Sequence, residues 1–187
     1  MFRAIAPIPQ SREQTPQRFV LSSPAYAGLA ANPTPATAAA LHAAQVPSVI
    51  KVWTELAFES VRAAIMPAAP SRLDAVYACA DVYEAFSFTE ETNTPHHAHR
   101  GMIQDGVPWQ LVDMSAFASS VPPTSDEAGF EDAWTKSCDN ANRYWLTGQA
   151  TPNTPFFAEI LVGGVVTIDA DRLRLLDMME GEGLIAR

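Results

Sequence analysis

The sequence predicts a single α+β domain. Apolar residues recur at helical spacing in two long segments, and short β-rich runs stand between and around them in no regular alternation. That order favours α+β over a doubly wound sheet. The chain has 187 residues, 48% hydrophobic and 18% charged, enough to bury one core and too apolar for disorder. No repeat and no second core interrupts residues 1–187, so one domain is expected throughout.

The elements follow in order. Phe2 to Ala6 reads as a short strand stopped by Pro7 and Pro9. Residues 7–17 are polar and read as loop, Arg18 to Ser22 as a short strand, and the Ala/Pro/Asn-rich stretch 23–34 as loop. Thr34-Pro35 has the form of an N-cap followed by Pro at the first helical position, opening a helix to about Gln45. Pro47-Ser48 opens a longer helix. Its stripe is Ile50, Trp53, Ala57, Val61 and Ala64, and Lys51, Glu55, Glu59 and Arg62 line the opposite side. Pro67 and Pro70 end it.

Leu73 to Cys79 reads as a buried strand, and Asp81 caps a predicted helix through Phe88. Residues 89–100 read as loop. Gly101 to Gln104 and Val107 to Val112 are expected to pair around Asp105-Gly106, with Pro108 marking an edge strand. A surface loop over 115–128 leads to a helix with the stripe Phe130, Trp134, Cys138, Ala141 and Trp145, stopped at Gly148. Phe156 to Val162 and Val165 to Ile168 then flank Gly163-Gly164, a hairpin signal because such turns need positive φ. Asp169 caps a last predicted helix through about Met179.

Within that last strand Phe157, Glu159 and Leu161 share one face, while Ala158, Ile160 and Val162 share the other. Glu159 therefore has apolar neighbours on its own face. It must either reach solvent or be held at a site, because unpaired burial is costly.

A net charge of −9 disfavours contact with phosphate backbones. Cys79 and Cys138 are the two cysteines, which is no disulfide framework and reads as a reducing compartment. No run of about 18 apolar residues is present, so no membrane span is expected. The N-terminus lacks the pattern of a Sec signal peptide. The expected location is the cytoplasm, or a target cell reached without a Sec signal.

The P-loop, G-x-G-x-x-G, H-E-x-x-H, C-x-x-C and G-x-S-x-G patterns are all absent, which removes the strongest motif-based activities. His96, His97 and His99 invite a metal reading, set against a solvated polar loop; with no second ligand motif beside them, no metal is assigned. Cys79 lies in an apolar run and Cys138 on a buried stripe, where cysteine is usually an inert core residue. Arg3 stands between Phe2 and Ala4. It either faces solvent on an edge strand or holds an anion. Ser71, just before the strand at 73–79, is an ordinary loop hydroxyl or part of a site.

Taken in chain order, these residues resemble a known family. An early strand carries Arg3, a middle strand is preceded by Ser71, and a late strand carries Glu159. This resembles the Arg–Ser–Glu arrangement of the ADP-ribosyltransferase superfamily. Phe2-Arg3 is similar to its first motif and Pro70 to Ala78 to its second. Asn142 to Gly148, followed by Phe157 to Val162, is similar to the C-terminal part of small bacterial members. Two departures stand out. The second motif reads Ser71-Arg72-Leu73 rather than Ser-Thr-Ser, and Phe157 replaces the Gln or Glu usual two residues before the catalytic Glu.

The resemblance implies a split two-sheet core of mostly antiparallel strands with flanking helices, and NAD as substrate. It implies Glu159 as the catalytic carboxylate, Arg3 holding a phosphate or ribose oxygen of NAD, and Ser71 orienting the ribose or supporting Glu159. Tyr77 and Phe157 are the aromatic candidates for stacking on nicotinamide. It also implies a role as a bacterial toxin or effector. The acceptor is unidentified, with protein favoured over nucleic acid by the acidic charge. Two rivals stand beside it: a non-catalytic binding protein in which Arg3 and Glu159 form an ion pair, and a metal-dependent enzyme using the histidines.

Overall fold

A computed structural model describes residues 11–14, 20–79, 101–117, 119–146 and 158–169. Its helices are α1 (Pro24–Ala31), α2 (Pro35–Ala43), α3 (Val49–Ile65) and α4 (Glu127–Trp145). Its strands are β1 (Ser11–Gln14), β2 (Val76–Cys79), β3 (Gly101–Ile103), β4 (Trp109–Asp113), β5 (Ala158–Val162) and β6 (Val166–Asp169). Short 3₁₀ turns occupy Arg72–Asp74 and Met114–Ala116. The protein is α+β and forms one domain, as its composition and pattern predict.

The strands form two antiparallel three-stranded sheets, ordered β2-β5-β4 and β1-β6-β3. This corrects both hairpin expectations. β5 and β6 do not pair with each other across Gly163-Gly164, and β3 and β4 do not pair across Asp105-Gly106. Instead β4 pairs with β5 in one sheet and β3 with β6 in the other, so the same two chain segments run side by side through both sheets. The crossing point is Gly163, whose N–H donates to the Pro108 carbonyl at 2.9 Å.

Glycine there serves a close approach rather than a left-handed turn. Neither Gly163 nor Gly164 has positive φ, whereas Gly106 does, at 82°. A Cβ on Gly163 would stand 3.1 Å from Pro108 Cγ and 3.3 Å from Pro70 Cβ.

Three further expectations change. Residues 11–14 are a strand, not loop: an edge strand is held by backbone hydrogen bonds, so a polar Ser-Arg-Glu-Gln sequence can supply it. Residues 24–31 are a helix, capped by the Ser23 side chain accepting from the Tyr26 N–H with Pro24 in the first turn. The predicted strand at 18–22 gives way, over Val20 to Ser22, to the turn that enters α1. The predicted strand at 2–6, the helix from Asp81 to Phe88 and the helix beyond Asp169 fall outside the described residues.

The core has three parts. One joins α1 and α2 to α3 and the start of α4 through Leu29, Ala38, Val52, Trp53, Phe130 and Ala133. The second lies under the sheet β2-β5-β4, where Phe58, Tyr144 and Trp145 meet Val112 and Leu161. The third joins the two sheets through Val76, Val162 and Val166. Two indoles tie α3 to α4: Trp53 Nε1 donates to the Phe130 carbonyl at 2.9 Å, and Trp145 Nε1 to the Phe58 carbonyl at 3.0 Å.

The entry to α4 is tight. Asp126 caps it by accepting from the Gly129 N–H at 3.0 Å. Thr124 folds over that first turn so closely that a Cβ on Gly129 would stand 2.1 Å from the Thr124 carbonyl oxygen. Backbone cannot yield as a side chain can. Gly129→Ala is therefore expected to cost about 1–3 kcal/mol by overpacking, despite alanine's better helix propensity. Urea unfolding measures this, and a variant as stable as the parent would contradict the placement of Thr124.

Candidate functional site

α3 is buried on two sides, which changes the reading of its polar face. One side packs on α1 and α2 and the other on the sheet and α4. Glu55, expected to face water, is 4% exposed. It accepts a forked pair of bonds from Arg72, at 3.0 Å from Nε and 3.4 Å from Nη2. Arg72 sits in the 3₁₀ turn that leads into β2.

From the other side, Glu159 on the central strand β5 accepts from Arg72 Nη1 at 2.8 Å. Cys79 and Val112 are its register partners on β2 and β4, so Glu159 points with Val112 and Leu161 toward the helices. Glu159 is 6% exposed. Tyr144 of α4 completes the cluster: its hydroxyl donates to Glu159 Oε2 at 2.5 Å and accepts from Arg72 Nη1.

Aromatic faces enclose the guanidinium. Its Cζ lies 3.9 Å from the ring centre of Phe117, 4.9 Å from Tyr144, 5.0 Å from Tyr77 and 6.0 Å from Phe58. Carboxylates thus meet its edge and π-faces surround it, the two favourable environments for a weakly hydrated planar cation. The Tyr77 hydroxyl donates to the Arg72 carbonyl.

The protonation states follow from these surroundings. Burial would lower the Arg72 pKa, but Tyr144, Glu55 and Glu159 act in the opposite sense and the net shift is upward, so Arg72 stays a cation. Burial raises the Tyr144 pKa well above its ordinary value; Arg72 opposes this, and Glu159 adds to it. Burial likewise raises Tyr77. Both phenols remain protonated donors at neutral pH. One guanidinium thus stands between two buried carboxyl groups.

Ser71 belongs to a neighbouring network. Its hydroxyl donates to Glu59 Oε2 at 2.9 Å and accepts from the Leu73 N–H at 3.1 Å. Glu59 is held in turn by Arg62, at 3.0 Å from Nε and 2.8 Å from Nη2. Arg62 Nη1 also ties down the chain after α3 by donating to the Pro67 and Ala69 carbonyls at 3.0 and 2.9 Å. The expected support of Glu159 by Ser71 is not seen, because the hydroxyl is committed to Glu59; its neighbour Arg72 makes the contact instead. Tyr77, expected near a nicotinamide, lines the Arg72 cage. Arg3, Phe157, His96, His97 and His99 lie outside the described residues.

Glu55, Arg72 and Tyr144 are thus site residues that sequence reasoning misses. Beside this cluster, an open cleft of about 900 Å³ is lined by His42, Lys51, Ser119, Ser125 and Phe117, among others. Glu159 does not line it. Phe117 is shared, facing the cleft and also stacking on Arg72. Among the described residues the lining holds a lysine and a histidine and no carboxylate, in a chain of net charge −9.

Among the described residues, no group of three or more His, Cys, Asp or Glu could hold a metal ion. No described helix is long and apolar enough to cross a membrane. No curated protein matches the chain. A family model described as "Protein of unknown function (DUF2441)" matches residues 21–174, a span that includes Glu55, Arg72, Tyr144 and Glu159, and the chain belongs to that family.

Proposed function

We propose that the protein is an NAD-dependent ADP-ribosyltransferase-like enzyme, with Glu159 as the carboxylate that stabilises nicotinamide–ribose cleavage. The observation that carries this reading is a buried carboxylate on the central strand of one of two split antiparallel sheets, held in place by an arginine and a tyrosine. In the reaction the bond from ribose C1′ to the pyridinium nitrogen breaks. Its electron pair leaves with nicotinamide, now neutral, and positive charge spreads over C1′ and the ring oxygen. A nucleophilic atom of the acceptor then bonds to C1′ and loses its proton.

A carboxylate fixed in a poorly solvated site stabilises that charge more in the transition state than in the ground state. The cleft with Lys51 and His42 suits a dinucleotide's phosphates, and Phe117 links it to the cluster. A protein acceptor fits the acidic chain better than nucleic acid. Delivery into a target cell as a toxin or effector belongs to the same proposal.

The test is nicotinamide release from NAD by the purified protein. Glu159→Gln keeps the side chain's shape and removes its charge, and is expected to lower the rate by roughly 10²–10³-fold, the loss typical of a removed electrostatic stabiliser. A parent protein that neither gains thermal stability from NAD nor releases nicotinamide would sink the proposal.

One observation favours a second reading, a non-catalytic binding protein in which Glu159 is structural. Glu159 is already bonded to Arg72 and Tyr144, and Ser71 does not reach it. On that reading Glu159→Gln lowers stability and changes no NAD chemistry.

A further inference from the structure

The bonds to Glu159 are unequal. Arg72 Nη1 and the Tyr144 hydroxyl both bond to Oε2. Among the described residues Oε1 receives no hydrogen bond, and it is not one of the buried polar atoms left without a partner. The anchoring side is rigid. Arg72 is itself fixed by the fork to Glu55 and by four aromatic rings. Tyr144 is fully buried, with its ring edge-on to Trp145 at 4.9 Å and to Phe58 at 5.4 Å.

Resting on the NAD-cleaving reading, we infer that Arg72 and Tyr144 are positioning residues that pin Glu159 through Oε2, so that Oε1 is the oxygen presented to a ribose hydroxyl. The division of labour has a physical basis. An oxygen bonded to a cation and a phenol is set in place but partly neutralised. The opposite oxygen keeps its lone pairs for the substrate. Neither positioning residue need touch NAD. Losing the pin would let the carboxylate rotate, and displacements near 1 Å at a reacting centre can cost about 100-fold in rate. Glu55 acts one step further out, by holding Arg72.

Two measurements on the full chain test this. In protein labelled with ¹³C at glutamate Cδ, with the Glu159 signal assigned by its loss in Glu159→Gln, adding ADP-ribose is expected to shift the Glu159 resonance. ADP-ribose that binds without moving that signal overturns the inference. Tyr144→Phe removes one anchoring bond and keeps the ring. It is expected to lower kcat for nicotinamide release by roughly 10–100-fold with KM for NAD within about twofold, the signature of an interaction needed in the transition state alone.

Arg72→Lys should recover part of the activity that Arg72→Met abolishes. A folded Tyr144→Phe variant with parental kcat, or one altered only in KM, defeats the inference while leaving NAD cleavage standing. A parent with no NAD binding or turnover removes the reading and this inference together. If Tyr144→Phe does not fold, the ADP-ribose titration of the parent still decides.

Discussion

Arg72→Met is expected to destabilise the protein by about 3–5 kcal/mol, the usual cost of removing one partner from a buried ion pair. The loss arises on the groups left behind. Glu55 and Glu159 are 4% and 6% exposed, and both depend on the same guanidinium. Without it, two carboxylates remain in an apolar surround and, among the described residues, the Tyr144 hydroxyl alone donates to one of them. Methionine would keep much of the contact with Phe117, Tyr77 and Tyr144, so lost packing contributes less than lost charge.

The rescue discriminates between these causes. Glu55→Gln and Glu159→Gln added to Arg72→Met remove both orphaned charges and should restore most of the stability, since an uncharged set can equal a buried ionic one. Urea unfolding of the single and triple variants reads the difference. If the triple variant is no more stable than Arg72→Met, the loss belongs to packing and the charge argument fails.

The same cluster shows what sequence could and could not disclose. Glu159 is legible because a charge interrupts an apolar run whose period places it on a buried face. Glu55 is not, because α3 has one strong stripe and a polar side that looks like a water face. The helix is in fact covered on both sides, and helical period cannot report a second covering layer. Arg72 hides in a turn, where arginine ordinarily means surface. Glu55, Arg72 and Tyr144, unremarkable in their separate segments, become one site only through the fold.

The errors in topology have local physical causes. Gly163-Gly164 carries a hairpin composition but serves a close approach to Pro70 and Pro108, and sequence does not distinguish a glycine needed for φ from one needed for space. Ser23-Pro24 is the same cap signal as Thr34-Pro35, and both open helices. Only the second is legible, because Ala/Pro/Asn-rich surroundings obscure the first. β1 has no apolar alternation at all; its partner β6 specifies it. What depends on period alone is legible: the positions of α3 and α4 along the chain and the alternation along β5.

Trp145→Ala is the second large effect, expected at about 3–5 kcal/mol. Trp145 is fully buried at the last residue of α4, beneath the sheet. Its ring meets Tyr144 edge-on at 4.9 Å, and its Nε1 donates to the Phe58 carbonyl at 3.0 Å. Alanine would open a cavity against Tyr144 and Phe58, the residues that wall in Arg72, so the damage reaches the carboxylate cluster. Trp145→Phe separates the contributions: it keeps an aromatic ring and loses the indole bond, and should cost about 1–2 kcal/mol. Urea unfolding orders the three proteins. A Trp145→Phe variant as unstable as Trp145→Ala would mean that the indole bond, not the ring volume, holds α4 to α3 at this end. Nicotinamide release by Trp145→Phe then reports whether that end of α4 must stay in place for Tyr144 to hold Glu159: a folded variant with reduced kcat and unchanged KM ties the packing beneath the sheet to the position of the carboxylate above it.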